Sequence, residues 1–393
     1  MGHSFTVVPS PLLQFGAGKI DQLAKAIKVH GSKLILVTGA NSFVSSQHFE
    51  KLTVQLTQEK LIFKQIQVRE EPTPGLVDDA VTELAPFNPD VVVSIGGGSV
   101  MDAGKAISAM IPLNETVKNY LEGIGTKTHP GVKIPFIAVP TTAGTGSEAA
   151  KNAVLSETGP NGFKKSLRHN NFVPDLAIID PALTLSCSPF TTAASGMDAF
   201  TQLLESYLSP AGNALTDAIA LEGLRQISFS LMPAFDDGSN LEARTGMALA
   251  AYLSGLTLTN AGLGLIHGFA SSIGGFFPIP HGVICSALMA PVNKLTVRKL
   301  RAENGSESLR KYATVGQIFS ANKPKRSDEY ETDYLLDTIE TWNAKMRIPS
   351  LAEVGVSSSD HIRIIAITEN KNNPTPLVAE EMHEALEMAS KKN

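Results

Sequence analysis

The run DVVVSIGGGSVMDAGKAIS, from Asp90 to Ser108, constrains the fold more than any other stretch of this chain. Val91, Val92, Val93 and Ile95 form a short apolar, β-branched segment of the kind found in parallel strands buried on both faces. Three glycines follow, Gly96, Gly97 and Gly98, and they let the backbone turn sharply and approach a ligand closely. Ser99 is then the predicted helix N-cap, with Asp102 in the first turn. A strand that enters a helix through such a turn aims free N–H groups and the positive end of the helix dipole at an anion, such as a phosphate. The usual dinucleotide fingerprint, G-x-G-x-x-G with an acidic residue about 20 positions later, is absent, so the spacing does not specify an ordinary Rossmann site.

At 393 residues the chain exceeds what one hydrophobic core usually serves, and two domains are expected. Short apolar runs alternate with amphipathic segments up to about residue 185, which is an α/β pattern. Strands are predicted at Lys33 to Thr38, Ile62 to Val68, Val91 to Ile95, Pro135 to Val139 and Leu176 to Ile179. Helices are predicted at Ser45 to Gln58 and Pro74 to Ala85. After Pro189 the strand pattern gives way to Ala- and Leu-rich helical segments, including Ala193 to Leu208 and Ala214 to Leu231. The expected domains are therefore 1–187, α/β, and 188–393, all helical, with the cleft between them as the default ligand site. The polar stretch Asn322 to Thr332 reads as an exposed loop.

Hydrophobic residues make up 43% of the chain and charged residues 18%, a composition that can fill a packed core. The net charge of -5 comes without a basic cluster, which argues against a nucleic-acid partner. No run of 18 apolar residues and no secretory pattern is present, so no membrane partner and a cytoplasmic location are expected. The two cysteines, Cys187 and Cys285, suit a reducing compartment and not a disulfide framework.

A second loop, PTTAGTGSE, sets Thr141, Thr142 and Thr145 beside glycines just after a predicted strand, where their hydroxyls can bind ribose, pyrophosphate or a carboxamide. Two such loops after consecutive strands point to a nucleotide site. In the helical half, Asp198 and Gln202 lie four residues apart and share a helix face. His267 and His281 follow in apolar surroundings. Singly each reads as a hydrogen-bonded core histidine; with Asp198 they make a competent ligand set for a divalent transition metal.

GGGSVMDAGK, PTTAGTGSE, the Asp-Pro of IIDPALT, GMDAFTQLLE and HGFASSIGGFFPIPHG occur in an order and spacing that resemble the iron-containing (group III) alcohol dehydrogenase family, from about residue 5 to 390. The resemblance implies a Rossmann-like parallel α/β domain followed by an all-α domain, the dehydroquinate synthase-like architecture. It implies an oxidoreductase that interconverts a small alcohol and its aldehyde or ketone with NAD or NADP and a divalent metal, Fe2+ or Zn2+, in a homodimer or larger homo-oligomer. Position by position, it assigns Gly97, Gly98, Ser99, Asp102, Thr141, Thr142, Thr145, Asn152 and Lys164 to the cofactor, with Lys165 as the alternative to Lys164. It assigns Asp198, His267 and His281 to the metal.

Three departures carry consequences. Gln202 stands where most members have a metal-binding His; its amide oxygen can bind a divalent ion, but as a neutral and poorer ligand. Ser271 stands where many have a His thought to move the alcohol proton, beside His267; a hydroxyl can pass a proton but cannot act as a base near neutral pH. Gly39 stands where many NAD-using members have an Asp that reads the ribose, and with Ser42 nearby this favours NADP. Gln202 and Ser271 keep a metal-independent reductase resembling maleylacetate reductases in view. A dehydroquinate synthase-like lyase would need more Lys and Arg around the site, and a non-catalytic cofactor-binding protein would follow from a defective relay. Phe276 and Phe277 suggest a partly hydrophobic substrate pocket.

Overall fold

The computed structural model describes residues 4–303, 306–320, 324 and 326–391. The strands are β1 (Leu12–Phe15), β2 (Lys33–Gly39), β3 (Ile62–Val68), β4 (Val91–Gly96), β5 (Phe136–Pro140), β6 (Asn152–Glu157), β7 (Phe163–Arg168) and β8 (Leu176–Ile179). Between them lie α1 (Leu23–His30), α2 (Gln47–Gln58), α3 (Pro74–Leu84) and α4 (Gly98–Met110). After β8 every regular element among the described residues is helical: α5 (Pro189–Leu208), α6 (Ala214–Asp236), α7 (Leu241–Ala261), α8 (Leu265–Phe276), α9 (His281–Ala302), α10 (Ser306–Phe319), α11 (Asp328–Met346), α12 (His361–Ile367) and α13 (Ala379–Ala389), with short 3-10 turns.

Six strands form one parallel sheet in the order β1-β8-β5-β4-β2-β3. Alternate side chains explain why these strands lack polar alternation. Leu34 and Leu36 of β2 and Val91, Val93 and Ile95 of β4 pack with α1 and α2 on one face. Their neighbours Ile35, Val37 and Val92 are equally buried, on the opposite face. There α4 lies directly on β4: a Cβ added at Gly104 would come within 1.9 Å of Ser94 Oγ. From β2 the chain moves outward to β3 and then returns to β4 on the other side, so the order reverses between β2 and β4. The carboxyl ends at this switch point are Gly39 and Gly96, and ligands of open α/β sheets bind outside such ends.

The chain divides into two compact units, one formed by Val8–Glu157 and Lys164–Ser186, the other by the chain from Cys187 onward with Thr158–Phe163 and the residues before Val8. The segment Thr158–Phe163 belongs with the helices because Gly159 N donates to Gly275 O at 3.1 Å.

Several elements differ from the sequence-based expectation. β1 is a short strand at the edge of the sheet, with Leu12 exposed, so no apolar run marks it. β6 and β7 form a separate two-stranded sheet and carry polar residues on one side. Ser99 does not cap α4. Gly97, extended at φ -80 and ψ -172, is the N-cap, and Ser99 is already helical. The stretch expected as an exposed loop is helical from Asp328, where Ser327 Oγ caps α11 by accepting from Tyr330 N, and Glu331 and Thr332 are buried. Asn322, Lys323 and Lys325 of that stretch lie outside the described residues. No single described helix is long and apolar enough to cross a membrane; α7 and α8 together meet that length and composition only as a pair bent by 98°.

Candidate active site

In the α/β unit the two glycine-rich loops are fitted to each other. A Cβ at Gly98 would sit 2.6 Å from Thr145 Cγ2, and one at Gly97 would sit 3.4 Å from Thr142 Oγ1. The loop after β5 therefore lies over the first turn of α4, with Thr141 N bonded to Gly96 O at 2.8 Å. Gly97, Gly98 and Ser99 remain half-exposed there, and the N–H groups of a first helical turn have no partners within their own helix. This is a cradle suited to a diphosphate.

One buried cation organises the second loop. Lys105 Nζ donates to Ser147 O (2.7 Å), Ser147 Oγ (3.1 Å), Ala150 O (2.8 Å) and Asn152 O (2.9 Å). Burial lowers its pKa to about 8, with Asp102 and Glu148 opposing that shift. Asp102 accepts from Ser147 Oγ at 2.6 Å, and burial raises its pKa. Burial also pushes Glu148 up to about 7. Lys105 and Ser147 escaped the sequence reading; the hint was a lysine on a largely buried helix, three residues after Asp102.

The remaining expected cofactor residues are spread more widely. Gly39 ends β2 and Ser42 is exposed just beyond it. Asn152 opens β6, and its carbonyl serves Lys105. Lys164 is buried on β7 and paired with Glu71, Nζ to Oε2 at 2.6 Å, whereas Lys165 falls on the alternate face.

In the helical unit, three helices meet at a polar cluster. α5 contributes Asp198, Gln202 and Glu205, whose spacing puts all three on one face. α8 contributes His267, and α9 opens with His281 followed one turn later by Cys285. The helices can approach because Gly282 has no side chain: a Cβ there would lie 2.2 Å from Ala194 O on α5.

Asp198 Oδ1 is buried, makes no hydrogen bond, and lies 3.4 Å from His267 Nε2 and 3.6 Å from His281 Nε2. Leaving a buried carboxylate oxygen so placed is costly unless a cation joins it, either a metal ion or a protonated imidazole. Ligands bound at about 2.0–2.2 Å around one tetrahedral ion lie roughly 3.3–3.6 Å apart. The donors fit a metal ion by both tests. One ligand atom from each of Asp198, His267, His281 and Cys285 lies within 4.8 Å of the others.

Glu205 orients the cluster. Its Oε2 lies 2.6 Å from His267 Nδ1, and its Oε1 accepts from Ile266 N at 2.7 Å, completing the first turn of α8. An Nδ1–H held by a carboxylate leaves Nε2 to face the ion. Burial opposes charge on His267, but Cys285, Glu205 and Asp198 hold its pKa well above the ordinary value. Burial likewise opposes ionisation of Asp198, and the two imidazoles outweigh it, so its pKa is lowered. Burial pushes the Cys285 thiol up to about 11.

Gln202, expected as a ligand, spends its amide elsewhere: Nε2 donates to Asp198 Oδ2 at 3.1 Å and Oε1 accepts from Ser254 Oγ at 2.9 Å. Ser271 Oγ donates to His267 O at 2.9 Å, and Lys371 Nζ lies 3.5 Å from that hydroxyl. Glu205, Cys285 and Lys371 were not singled out for the site. Helical spacing could have found the first two, Glu205 seven residues after Asp198 and Cys285 four after His281. Lys371 is 100 residues from Ser271 and left no local signal.

The sequence matches the model for iron-containing alcohol dehydrogenases over residues 11–181. It also matches the model for the C-terminal part of the Fe-containing alcohol dehydrogenase family over residues 192–390. The chain belongs to the iron-containing alcohol dehydrogenase family. It is therefore an oxidoreductase of alcohols and aldehydes. Among relatives in this family, it is similar to alcohol dehydrogenase 4 of Schizosaccharomyces pombe, 33% identical over 88% of this chain and 79% of the relative. It is also similar to the 1-propanol dehydrogenase PduQ of Citrobacter freundii, 32% identical over 87% of this chain and 85% of that one. The crystal structure of a 1,3-propanediol oxidoreductase, 29% identical, superposes with a TM-score of 0.88 over 98% of this chain and 100% of its own. Among iron-containing alcohol dehydrogenases, that from Thermotoga maritima shares the fold at 24% identity, with a TM-score of 0.82 over 98% of this chain and 99% of its own.

Proposed function

We propose that this chain is a metal-dependent, NAD(P)-linked dehydrogenase and carbonyl reductase of small primary alcohols and their aldehydes. The observation that carries this reading is Asp198 Oδ1, buried without a hydrogen bond between two imidazole nitrogens. Asp198, His267 and His281 would hold the ion. When bound, a divalent metal supplies Lewis-acid polarisation of a substrate oxygen, and the nicotinamide supplies or accepts hydride.

The chain's own residues do the rest. Glu205 fixes the His267 ring, and Gln202 fixes the Asp198 carboxylate through Oδ2, leaving Oδ1 directed at the cluster. The His281 side chain is 24% exposed, against 5% for His267 and 2% for Asp198, so substrate approaches on the His281 side. Ser271 is a poor proton relay because its hydroxyl is committed to a helix carbonyl; Lys371 brings an ammonium to it. Gly97, Gly98 and Ser99 bind the diphosphate, with Thr142 and Thr145 closing the cradle.

Gly39 leaves space and no carboxylate at the end of β2, so a 2′-phosphate is not repelled and NADP is accepted. A relative of 29% identity, from Bacillus methanolicus, is named as an NAD-dependent methanol dehydrogenase, which keeps NAD in the reading. The two free thiols suit the cytoplasm, and a homodimer is the expected assembly.

The test is metal analysis of protein purified without chelator, with turnover of a C1 to C6 alcohol series against NAD and NADP. One equivalent of metal per chain, lost together with turnover in Asp198→Asn, supports the reading. Turnover that persists in metal-free protein favours instead a metal-independent reductase, in which protein donors replace the Lewis acid.

A further inference from the structure

We propose that Cys285, as thiolate, is the fourth protein ligand of the metal, which would take the substrate oxygen as a further ligand; the inference rests on the metal-site reading above. Three donors, Asp198 Oδ1, His267 Nε2 and His281 Nε2, already converge. Two residues stand close enough to be the fourth. Gln202 is turned the wrong way to be that donor. Its nitrogen, not its oxygen, faces Asp198, and its oxygen is taken by Ser254. Turning the amide over to offer oxygen would exchange its hydrogen bond to Asp198 Oδ2 for a contact between two oxygens, although Ser254 Oγ, also 2.8 Å from Ala251 O, could then accept from the amide nitrogen.

Cys285 has the opposite disposition. Its Sγ lies 3.8 Å from His267 Nε2 and 3.7 Å from His281 Nε2. Zinc–sulfur and zinc–nitrogen bonds of about 2.3 Å and 2.0–2.1 Å at a tetrahedral angle put S and N about 3.6 Å apart. The thiol is fully buried, and its position one turn after His281 on α9 presents both residues to the same side. As the sulfur–metal bond forms, the S–H proton leaves to solvent and no redox change occurs. One carboxylate, one thiolate and two neutral imidazoles then balance a divalent charge within the ligand set, with the Glu205 carboxylate holding His267 from outside it. A soft donor also shifts selectivity toward Zn2+ and Co2+ and away from Mn2+ and Mg2+. The site thus takes a thiolate-preferring divalent ion.

Cobalt reports this directly. The full-length protein is stripped of metal, reloaded with Co2+ alone, and read by metal analysis and by near-ultraviolet absorption, where a thiolate–cobalt bond gives an intense charge-transfer band. The expected result is one Co2+ per chain, lost in Asp198→Asn. The band should be present in the wild type and in Cys187→Ser and absent in Cys285→Ser, whose Zn2+ affinity should fall at least 10–100-fold, the loss that even an outer partner causes. Co2+ bound at one equivalent through Asp198 without the band overturns the role of Cys285 and leaves the metal site standing. Folded wild-type protein that holds no Co2+ overturns the metal-site reading itself. A band that persists in Cys187→Ser decides the question even if Cys285→Ser fails to fold, because Cys285 is then the chain's one thiol.

Discussion

The two candidate sites of this molecule are built from different materials. In the α/β unit the cradle is backbone: glycines supply space, threonines fill it, and one buried lysine ties the second loop in place through three carbonyls and a hydroxyl. In the helical unit the backbone only delivers. The site is side-chain atoms from α5, α8 and α9 that converge to within 4.8 Å. A backbone cradle tolerates substitution only where no Cβ is added, whereas a donor cluster tolerates changes of ligand type provided charge and reach are kept. The uninterrupted glycines of the first loop illustrate the first rule, and a cluster that sets a thiol and an amide beside two imidazoles the second.

The contrast is sharpest at Lys105. Replacing it with Met keeps most of the volume but leaves Ser147 O, Ala150 O and Asn152 O without their donor and Asp102 without its neighbouring cation. Breaking a buried charge this way costs about 3–5 kcal/mol. Urea titration should show that loss, with cofactor affinity falling as the loop loosens. Metal bound per folded chain should stay constant; a drop in it would mean the two sites are not separable.

Asp198→Asn probes the other side. It keeps shape and the Gln202 contact region but removes the charge that faces both imidazoles. The expected outcome is loss of bound metal and a fall of about 10³-fold in kcat/KM, about 4 kcal/mol. NAD(P)H binding by fluorescence should be unchanged.

How far each site was legible follows from its construction. The Gly96–Ser99 turn, the strand before it and the threonine loop after β5 could be read locally, because backbone geometry restricts residue choice at consecutive positions. The reading of Ser99 as N-cap failed since Gly97, lacking a side chain, does that job. His267 and His281 were legible through their apolar context, and Asp198 as the carboxylate that completes a ligand set with them, an assignment the resemblance then repeated. Cys285 was passed over because a cysteine among apolar residues looks like core; its spacing from His281 was the available signal, and the approach of α9 to α8 sets its Sγ beside His267 as well. β1, β6 and β7 escaped because edge and two-stranded elements bury too little to force an apolar pattern.

A pH-dependent effect belongs to the backbone-built side. Glu148 holds its proton in the native state up to about 7, against 4.5 for the free side chain, because burial opposes its charge. Between those values the native protein binds more protons than the unfolded chain, so this residue makes stability fall as pH rises. Above pH 7 the full cost is present, about 3 kcal/mol. Glu148→Gln should match wild type near pH 4, exceed it in stability above pH 7, and flatten the intervening slope. Parallel stability curves for the two proteins would show that Glu148 titrates normally.

The smallest expected effect tests whether the cradle is a matter of space. Gly98→Ala adds a Cβ 2.6 Å from Thr145 Cγ2 and 3.0 Å from its Oγ1, so the second loop must shift. Overpacking of this kind costs about 1–3 kcal/mol, which corresponds to a roughly 5- to 150-fold loss of dinucleotide affinity if the shift is taken from the bound state. Thr145→Ala in the same chain removes both colliding atoms and leaves the Cβ at 3.3 Å. The double variant should therefore recover part of the affinity lost by Gly98→Ala, although Thr145→Ala alone weakens binding. Rescue is the result that identifies space as the cause. Additive losses in the double variant would mean instead that Gly98 matters for the backbone N–H it presents, and that Thr145 contributes a hydrogen bond independent of the fit between the loops.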